Sequence, residues 1–86
     1  MSKNTVTQEQ IDGLLANSHI SVDKFFGKTT VVAVKLPSGF VIVESSSCVD
    51  PENYDHQMGI DICLERIKNK LWELEGYVLQ KEFGLK

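Results

Sequence analysis

The chain has 86 residues, of which 42% are hydrophobic and 24% are charged, and its formal net charge is −3. This length fits one domain over residues 1–86 and is too short for two independent cores. The composition is that of a folded protein and not of a disordered chain. No apolar run approaches the roughly 20 residues that span a bilayer, and residues 1–10 lack the apolar segment of a secretory signal. We therefore expect an intracellular protein that does not enter a membrane.

The acidic balance also argues against direct binding of nucleic acid. A protein that neutralises phosphates needs clustered Lys and Arg, whereas this chain has 9 basic and 12 acidic residues. Its basic residues are not interleaved with aromatic ones. A protein partner is therefore more consistent with the charge than a nucleic acid.

The first predicted element is a short helix over residues 8–17. Thr7 is a favoured N-cap and Gln10 completes a capping box, while Val6 and Ile11 occupy the positions of a hydrophobic staple. The stretch "NSHISVDKFFG", residues 17–27, is interpreted as a connector anchored by two aromatic side chains, Phe25 and Phe26.

The stretch "KTTVVAVKLPSGFVIVESSSC" predicts an antiparallel β-hairpin with strands near 29–36 and 40–47. In the two runs that flank the Pro-Ser-Gly turn, successive side chains point to alternate faces, and both faces of each strand carry apolar residues. One helix can cover only one face, and a two-stranded sheet leaves both edges unpaired. We therefore expect a homodimer or a larger assembly.

A long amphipathic helix is predicted from Pro51 onward, packed on the hairpin. Asp50 is a favoured N-cap, and Pro51 is favoured at the first helical position. Apolar residues then step by 4, 3, 4 and 3 along one face, which is typical of a core-facing helix. These residues are Ile60, Leu64, Ile67, Leu71 and Leu74.

A short C-terminal helix is expected after a break at Gly76. Trp72, Leu74, Tyr77, Val78 and Leu79 are expected to be buried there. The fold class is therefore α+β: a short N-terminal helix, a hairpin, a long helix on the hairpin and a short last helix.

An acidic run occupies residues 44–65, where no Lys or Arg occurs. Asp50 is assigned to the helix cap. The other five carboxylates are interpreted as a contact surface that attracts a basic groove of another protein; they are Glu44, Glu52, Asp55, Asp61 and Glu65. The alternative is a solvated helix face whose charges complement the helix dipole.

No catalytic, metal or cofactor site is predicted. Zinc needs three or four converging ligands, whereas Cys48 stands alone and the adjacent Asp55 and His56 point about 100° apart on a helix. A Cys48–His56 nucleophile pair lacks an orienting third group. A disulfide between Cys48 and Cys63 is excluded because a helical rod holds the thiols on the order of 20 Å apart.

The run "TTVVAVKLPSGFVIVESSSCVDPENYDHQMG", followed by "KLWELEGYVL", resembles a family of small tailed-phage proteins labelled by gene numbers, the gene product 49 / gene 66 family. The resemblance covers about residues 25–80 and departs from the family where members often carry alanine, at Cys63 and Ile67. It implies a phage or prophage accessory protein in the host cytoplasm, with no agreed enzymatic activity.

Three functions are compatible with this resemblance. The first is a non-catalytic inhibitor that binds a host protein, such as an anti-CRISPR or anti-restriction protein. The second is an oligomer that sequesters a nucleotide or another small ligand. The third is a phage assembly accessory.

Overall fold

The structure is a computed structural model that describes residues 5–84. It is an α+β fold in which two helices pack on one face of an antiparallel sheet, as predicted in outline. In chain order the elements are α1 (Gln8–Ala16), β1 (His19–Phe25), β2 (Thr29–Lys35), β3 (Val41–Ser47), a 3₁₀ turn (Pro51–Asn53) and α2 (His56–Phe83).

The N-terminal helix and its N-cap at Thr7 are confirmed, and the Gln10 side chain, expected to complete a capping box, donates to Glu75. The Thr7 hydroxyl oxygen accepts a hydrogen bond from the Gln10 backbone N–H at 3.2 Å, and the helix ends at Ala16. Ile11 is fully buried in the core, with Leu15 partly buried against it. The apolar side of α1 therefore faces the sheet and α2, as the sequence pattern indicated.

Within residues 5–84 the sheet has three strands and not two. The predicted hairpin is confirmed as β2 and β3, but residues 19–25, expected as a connector, form β1, which pairs antiparallel with β2. On β1 only Val22 is partly buried, so this edge strand has little apolar signal. Phe25 and Phe26, expected as anchors, are 46% and 88% exposed.

The long helix begins later than predicted. The Asp50 carboxylate caps the 3₁₀ turn by accepting from the Glu52 N–H at 3.0 Å, and Tyr54 then adopts an extended backbone. Asp55 is the N-cap of α2, where its carboxylate accepts from the Met58 N–H at 3.1 Å. The prediction of a long helix starting at Pro51 is therefore wrong. Asp50 caps a 3₁₀ turn, and Asp55 caps the separate helix that follows it.

The buried face of α2 is rotated relative to the prediction. Ile67 and Leu71 are buried as expected. The other two buried residues are Gly59 and Cys63, whereas Ile60, Leu64 and Leu74 are only half-buried. The small side chains at 59 and 63 bring the first two turns close to β2, which places the larger residues on the flanks.

The helix continues to Phe83 without the predicted break at Gly76, and Gly84 ends it with a φ of 60°. There is no separate last helix in the range 5–84. A helix of 28 residues rises about 42 Å, whereas a seven-residue strand spans about 23 Å. The final turns thus extend past the sheet, and Tyr77 and Val78, expected to be buried, are 63% and 46% exposed.

Candidate functional site

A solvent-open groove of about 540 Å³ lies between α1, β1 and α2. It exists because α2 packs across β2 and β3, while the nine-residue α1 packs beside α2. The helix-facing side of β1 is therefore incompletely covered, and Ile20 remains 41% exposed. The lining residues are Asp12, Leu15, Ala16, Ile20, Asp61, Leu64, Glu65 and Lys68.

The groove combines apolar and acidic side chains. Leu15, Ile20 and Leu64 supply large apolar surface, whereas the carboxylates come from α1 and α2. Three carboxylates and one ammonium group leave a net charge of −2. A surface of this kind fits a segment that carries both apolar and basic side chains.

Asp61 and Glu65 lie one turn apart on α2. Asp61 accepts a hydrogen bond from Gln57 Nε2 at 3.0 Å. Among residues 5–84 neither carboxylate has a cation within 4.0 Å. Like charges at i and i+4 destabilise a helix slightly, so helix stability does not account for this pair.

Asp12 is the third carboxylate of the groove. Lys68 Nζ lies 3.9 Å from its Oδ1, and the two side chains are 36% and 55% exposed, so the ion pair is weak. Sequence reasoning missed Asp12 because it belongs to α1. Its position depends on the packing of α1 against α2, which a hydrogen bond from Gln10 Nε2 to Glu75 Oε1 at 3.0 Å supports.

The other three predicted contact residues lie outside the groove. Glu44 faces α2 from β3 and pairs with Lys70 at 2.7 Å, its side chain only 16% exposed. Asp55 caps α2, and Glu52 belongs to the 3₁₀ turn. Of the five predicted residues, the structure therefore brings together only Asp61 and Glu65.

Two basic side chains from the later part of α2 lie against β3. Arg66 Nη1 donates to the Ser45 backbone carbonyl at 2.7 Å, and Lys70 lies against Glu44. The acidic run is therefore partly neutralised on the β3 side. Its two groove carboxylates, Asp61 and Glu65, are not neutralised in this way by any cation of residues 5–84.

Cys48 and His56 lie at the two ends of the segment that joins β3 to α2, here called the junction, and they have different hydrogen-bond partners. The Cys48 thiol donates to the Asp50 carbonyl at 3.2 Å. His56 Nδ1 instead lies 2.6 Å from the Tyr54 hydroxyl, which in turn lies 2.5 Å from Thr30 Oγ1. This chain of contacts ties the junction to buried Thr30 on β2.

Cys63 is buried among core residues, and burial raises the pKa of its thiol; Arg66 lowers that pKa and Glu44 raises it, each by a smaller amount. Cys48 and Cys63 are both free thiols. Within residues 5–84 no group of three or more His, Cys, Asp or Glu side chains is arranged to hold a metal ion.

The family model for "Phage protein (N4 Gp49/phage Sf6 gene 66)" matches residues 6–83. The chain belongs to this family. The resemblance noted for residues 25–80 therefore extends to α1 and β1, and the groove is built entirely within the part of the chain that the Gp49/gene 66 family model covers.

Comparison of this Gp49/gene 66 protein with curated proteins and with solved structures gives no match. No helix within residues 5–84 is both long enough and apolar enough to cross a membrane.

Proposed function

We propose that this Gp49/gene 66 phage protein is a non-catalytic accessory protein that binds and inhibits a host protein in the host cytoplasm. The proposed target class is a defence protein with a basic, nucleic-acid-binding surface, as in anti-CRISPR or anti-restriction inhibition. The proposed contact site is the acidic groove. The observation that carries the proposal is the pair of carboxylates, Asp61 and Glu65, which lie beside a partly exposed apolar floor and have no cation of residues 5–84 within 4.0 Å.

The groove defines the chemistry of the partner. Apolar side chains of the partner would contact Leu15, Ile20 and Leu64 and remove them from water, at roughly 25 cal/mol per Å² of apolar surface. Lys or Arg side chains of the partner would face the carboxylates. A basic amphipathic segment meets both requirements, and its charge would also accelerate association.

The test is the double variant Asp61→Asn with Glu65→Gln. The amide introduced at position 61 keeps an oxygen that can accept from Gln57, so the fold is preserved while two charges are lost. The matched control is Glu73→Gln with Glu82→Gln, which removes two charges from exposed positions of the same helix outside the groove. Both variants change the net charge equally, so non-specific electrostatics affects them alike.

Each protein is used as bait in lysate of the host, and the main captured protein is identified and purified. We expect the groove variant to bind it about tenfold more weakly or worse, which corresponds to about 1.4 kcal/mol, and with a smaller dependence on salt. The control variant should bind as the wild type does. If the groove variant binds as tightly as the wild type, the groove is not the site that binds the host protein.

The bait experiment also separates the two other functions. A phage structural protein captured from infected cells would support an assembly role. A rise in melting temperature on adding nucleotides, with no protein captured, would support sequestration of a small ligand.

A further inference from the structure

The face of the sheet opposite the helices, here called the open face, carries exposed apolar side chains. In the strand register, odd-numbered residues of the three strands point away from α2. Val41 and Val43 are 51% and 53% exposed, and Val31 and Ala33 are half-buried. Phe25 lies at the corner of the same face and is 46% exposed.

The sequence of β2 is that of a strand covered on both sides. A sheet with one solvated face normally alternates apolar and polar residues, whereas strands buried on both faces read as continuous apolar runs. In β2, residues 31–34 are Val-Val-Ala-Val, and only Val32 and Val34 contact the core below α2. The centre of the open face, formed by Val31, Ala33, Val41 and Val43, therefore has the composition of an interface.

The charge of the open face is compatible with a second copy of itself. By register, its charged side chains are Asp23 on β1 and Lys35 at the end of β2, which balance. The whole chain has a net charge of −3, so the acidic charge lies elsewhere, including the groove on the other side of the sheet. Two copies can thus approach through their open faces without repulsion at the contact.

We propose that two copies pair through their open faces, forming a symmetric dimer in which the two sheets stack with the helices outside. Such a contact is isologous, because each copy contributes the same residues and the assembly closes at two. Stacking about 10 Å apart would cover Val31, Ala33, Val41 and Val43 on both copies.

Pairing through the β3 edge is less favoured than pairing through the face. The outward carbonyl of Ser45, which an added strand would use, already accepts a hydrogen bond from Arg66 at 2.7 Å. A side chain laid over an edge in this way blocks strand addition.

The size of the open face predicts a weak dimer. Three strands of seven residues cover about 23 Å by 14 Å. Two such faces present about 640 Å² of projected area in total, which is below the roughly 1,200 Å² of the smaller specific interfaces. We therefore expect dissociation in the micromolar range, seen by analytical ultracentrifugation as a shift from one chain to two between about 1 and 500 μM.

The deciding variant is Val43→Asp, with Val78→Asp as its control. Both valines are about half exposed, and Val78 lies on the part of α2 that extends past the sheet. Each substitution adds the same charge at a similarly exposed residue, but only Val43 is on the open face. Circular dichroism checks that each variant is folded, and Val41→Asp replaces Val43→Asp if the latter is not.

We expect the open-face variant to stay monomeric at 500 μM and Val78→Asp to dimerise as the wild type does. The dimer proposal is overturned if the wild type is monomeric throughout, if the open-face variant still dimerises, or if Val78→Asp dissociates the dimer. The result is independent of the groove, because Asp61→Asn with Glu65→Gln leaves the open face intact.

Discussion

Gly59 of α2 lies directly against Thr30 of β2. A Cβ at position 59 would be 2.9 Å from the Thr30 Cβ and closer still to its hydroxyl oxygen. Real Cβ contacts are wider than this, so no residue larger than glycine fits unless the helix moves away from the strand. This close approach sets the height of α2 above the sheet and buries Cys63, Ile67 and Leu71 in succession.

Gly59→Ala should therefore destabilise the protein. The methyl group forces α2 away from β2, at a cost of about 1–3 kcal/mol, which exceeds the gain of up to about 1 kcal/mol in helix propensity. Gly76→Ala is the control, because its Cβ would meet nothing within 4 Å, and it should stabilise by about 0.5–1 kcal/mol. Urea unfolding measures both, and equal stabilities of the two variants would contradict the close contact.

The buried face of α2 and its flank at the groove should differ in their tolerance of charge. Ile67→Asp should unfold the protein, because it places an unpaired carboxylate at a fully buried site. Leu64→Asp should remain folded, since Leu64 is half-buried at the open groove. Far-UV circular dichroism distinguishes the two results. Unfolding of both variants, as the sequence pattern alone would suggest, would mean that Leu64 belongs to the core.

Features of the fold that depend on interactions between residues close in sequence could be predicted from the sequence. The cap at Thr7 is confirmed, because it depends on one short-range hydrogen bond. The pairing of β2 with β3 is also confirmed, because side chains of a strand point alternately to the two faces of the sheet. β1 was missed because an edge strand needs little apolar content. Gly76 was interpreted as a break, although a helix interior tolerates one glycine at a cost of about 1 kcal/mol.

The groove depends on long-range packing, which is why it was only partly predicted. Asp61 and Glu65 were identified from their charge. Asp12 and Ile20 join them only because α1 turns back beside α2 and β1 forms the neighbouring edge of the sheet. No feature of residues 12 or 20 alone indicates that contact.

The Lys70–Glu44 ion pair should contribute more to stability than the Lys68–Asp12 ion pair. Lys70→Met leaves the Glu44 carboxylate, only 16% exposed, without its partner at 2.7 Å, and should cost about 1 kcal/mol. Lys68→Met removes a pair at 3.9 Å between exposed side chains and should change stability by less than about 0.5 kcal/mol. Thermal unfolding at low and high salt measures both variants, and a larger loss for Lys68→Met would contradict this order.

The two thiols should differ in reactivity. Thiolates react with disulfide reagents, and Cys63 is both buried and shifted to a higher pKa, so its thiol stays protonated and inaccessible. An aromatic disulfide reagent should label one thiol per native chain and two in denaturant. Cys48→Ser should abolish the native reaction, whereas Cys63→Ser should retain it. Labelling of native Cys48→Ser at the wild-type rate would show that Cys63 is accessible.

The turn between β1 and β2 holds an aromatic residue in an unfavourable backbone conformation. Phe26 has a φ of 57° and Gly27 a φ of 70°, and the Lys28 N–H donates to the Phe25 carbonyl at 3.2 Å. Two consecutive positive φ values are typical of a type I′ turn, where Asn-Gly is preferred. A bulky side chain in the left-handed region costs about 1–2 kcal/mol. Phe26 is 88% exposed, and its tilted ring contact with Phe25, 6.3 Å between centroids, offsets only part of that cost.

Phe26→Asn should therefore stabilise the monomer by about 1 kcal/mol, which raises the melting temperature by about 4–8 °C for a domain of this size. Phe40→Asn is the control, because Phe40 is also exposed, at 55%, but its φ is not positive, so no gain is expected. Thermal unfolding is measured at about 1 μM, below the concentration at which the open faces are expected to pair. A loss of stability in Phe26→Asn at that concentration would mean that the aromatic ring makes a stabilising contact within the chain.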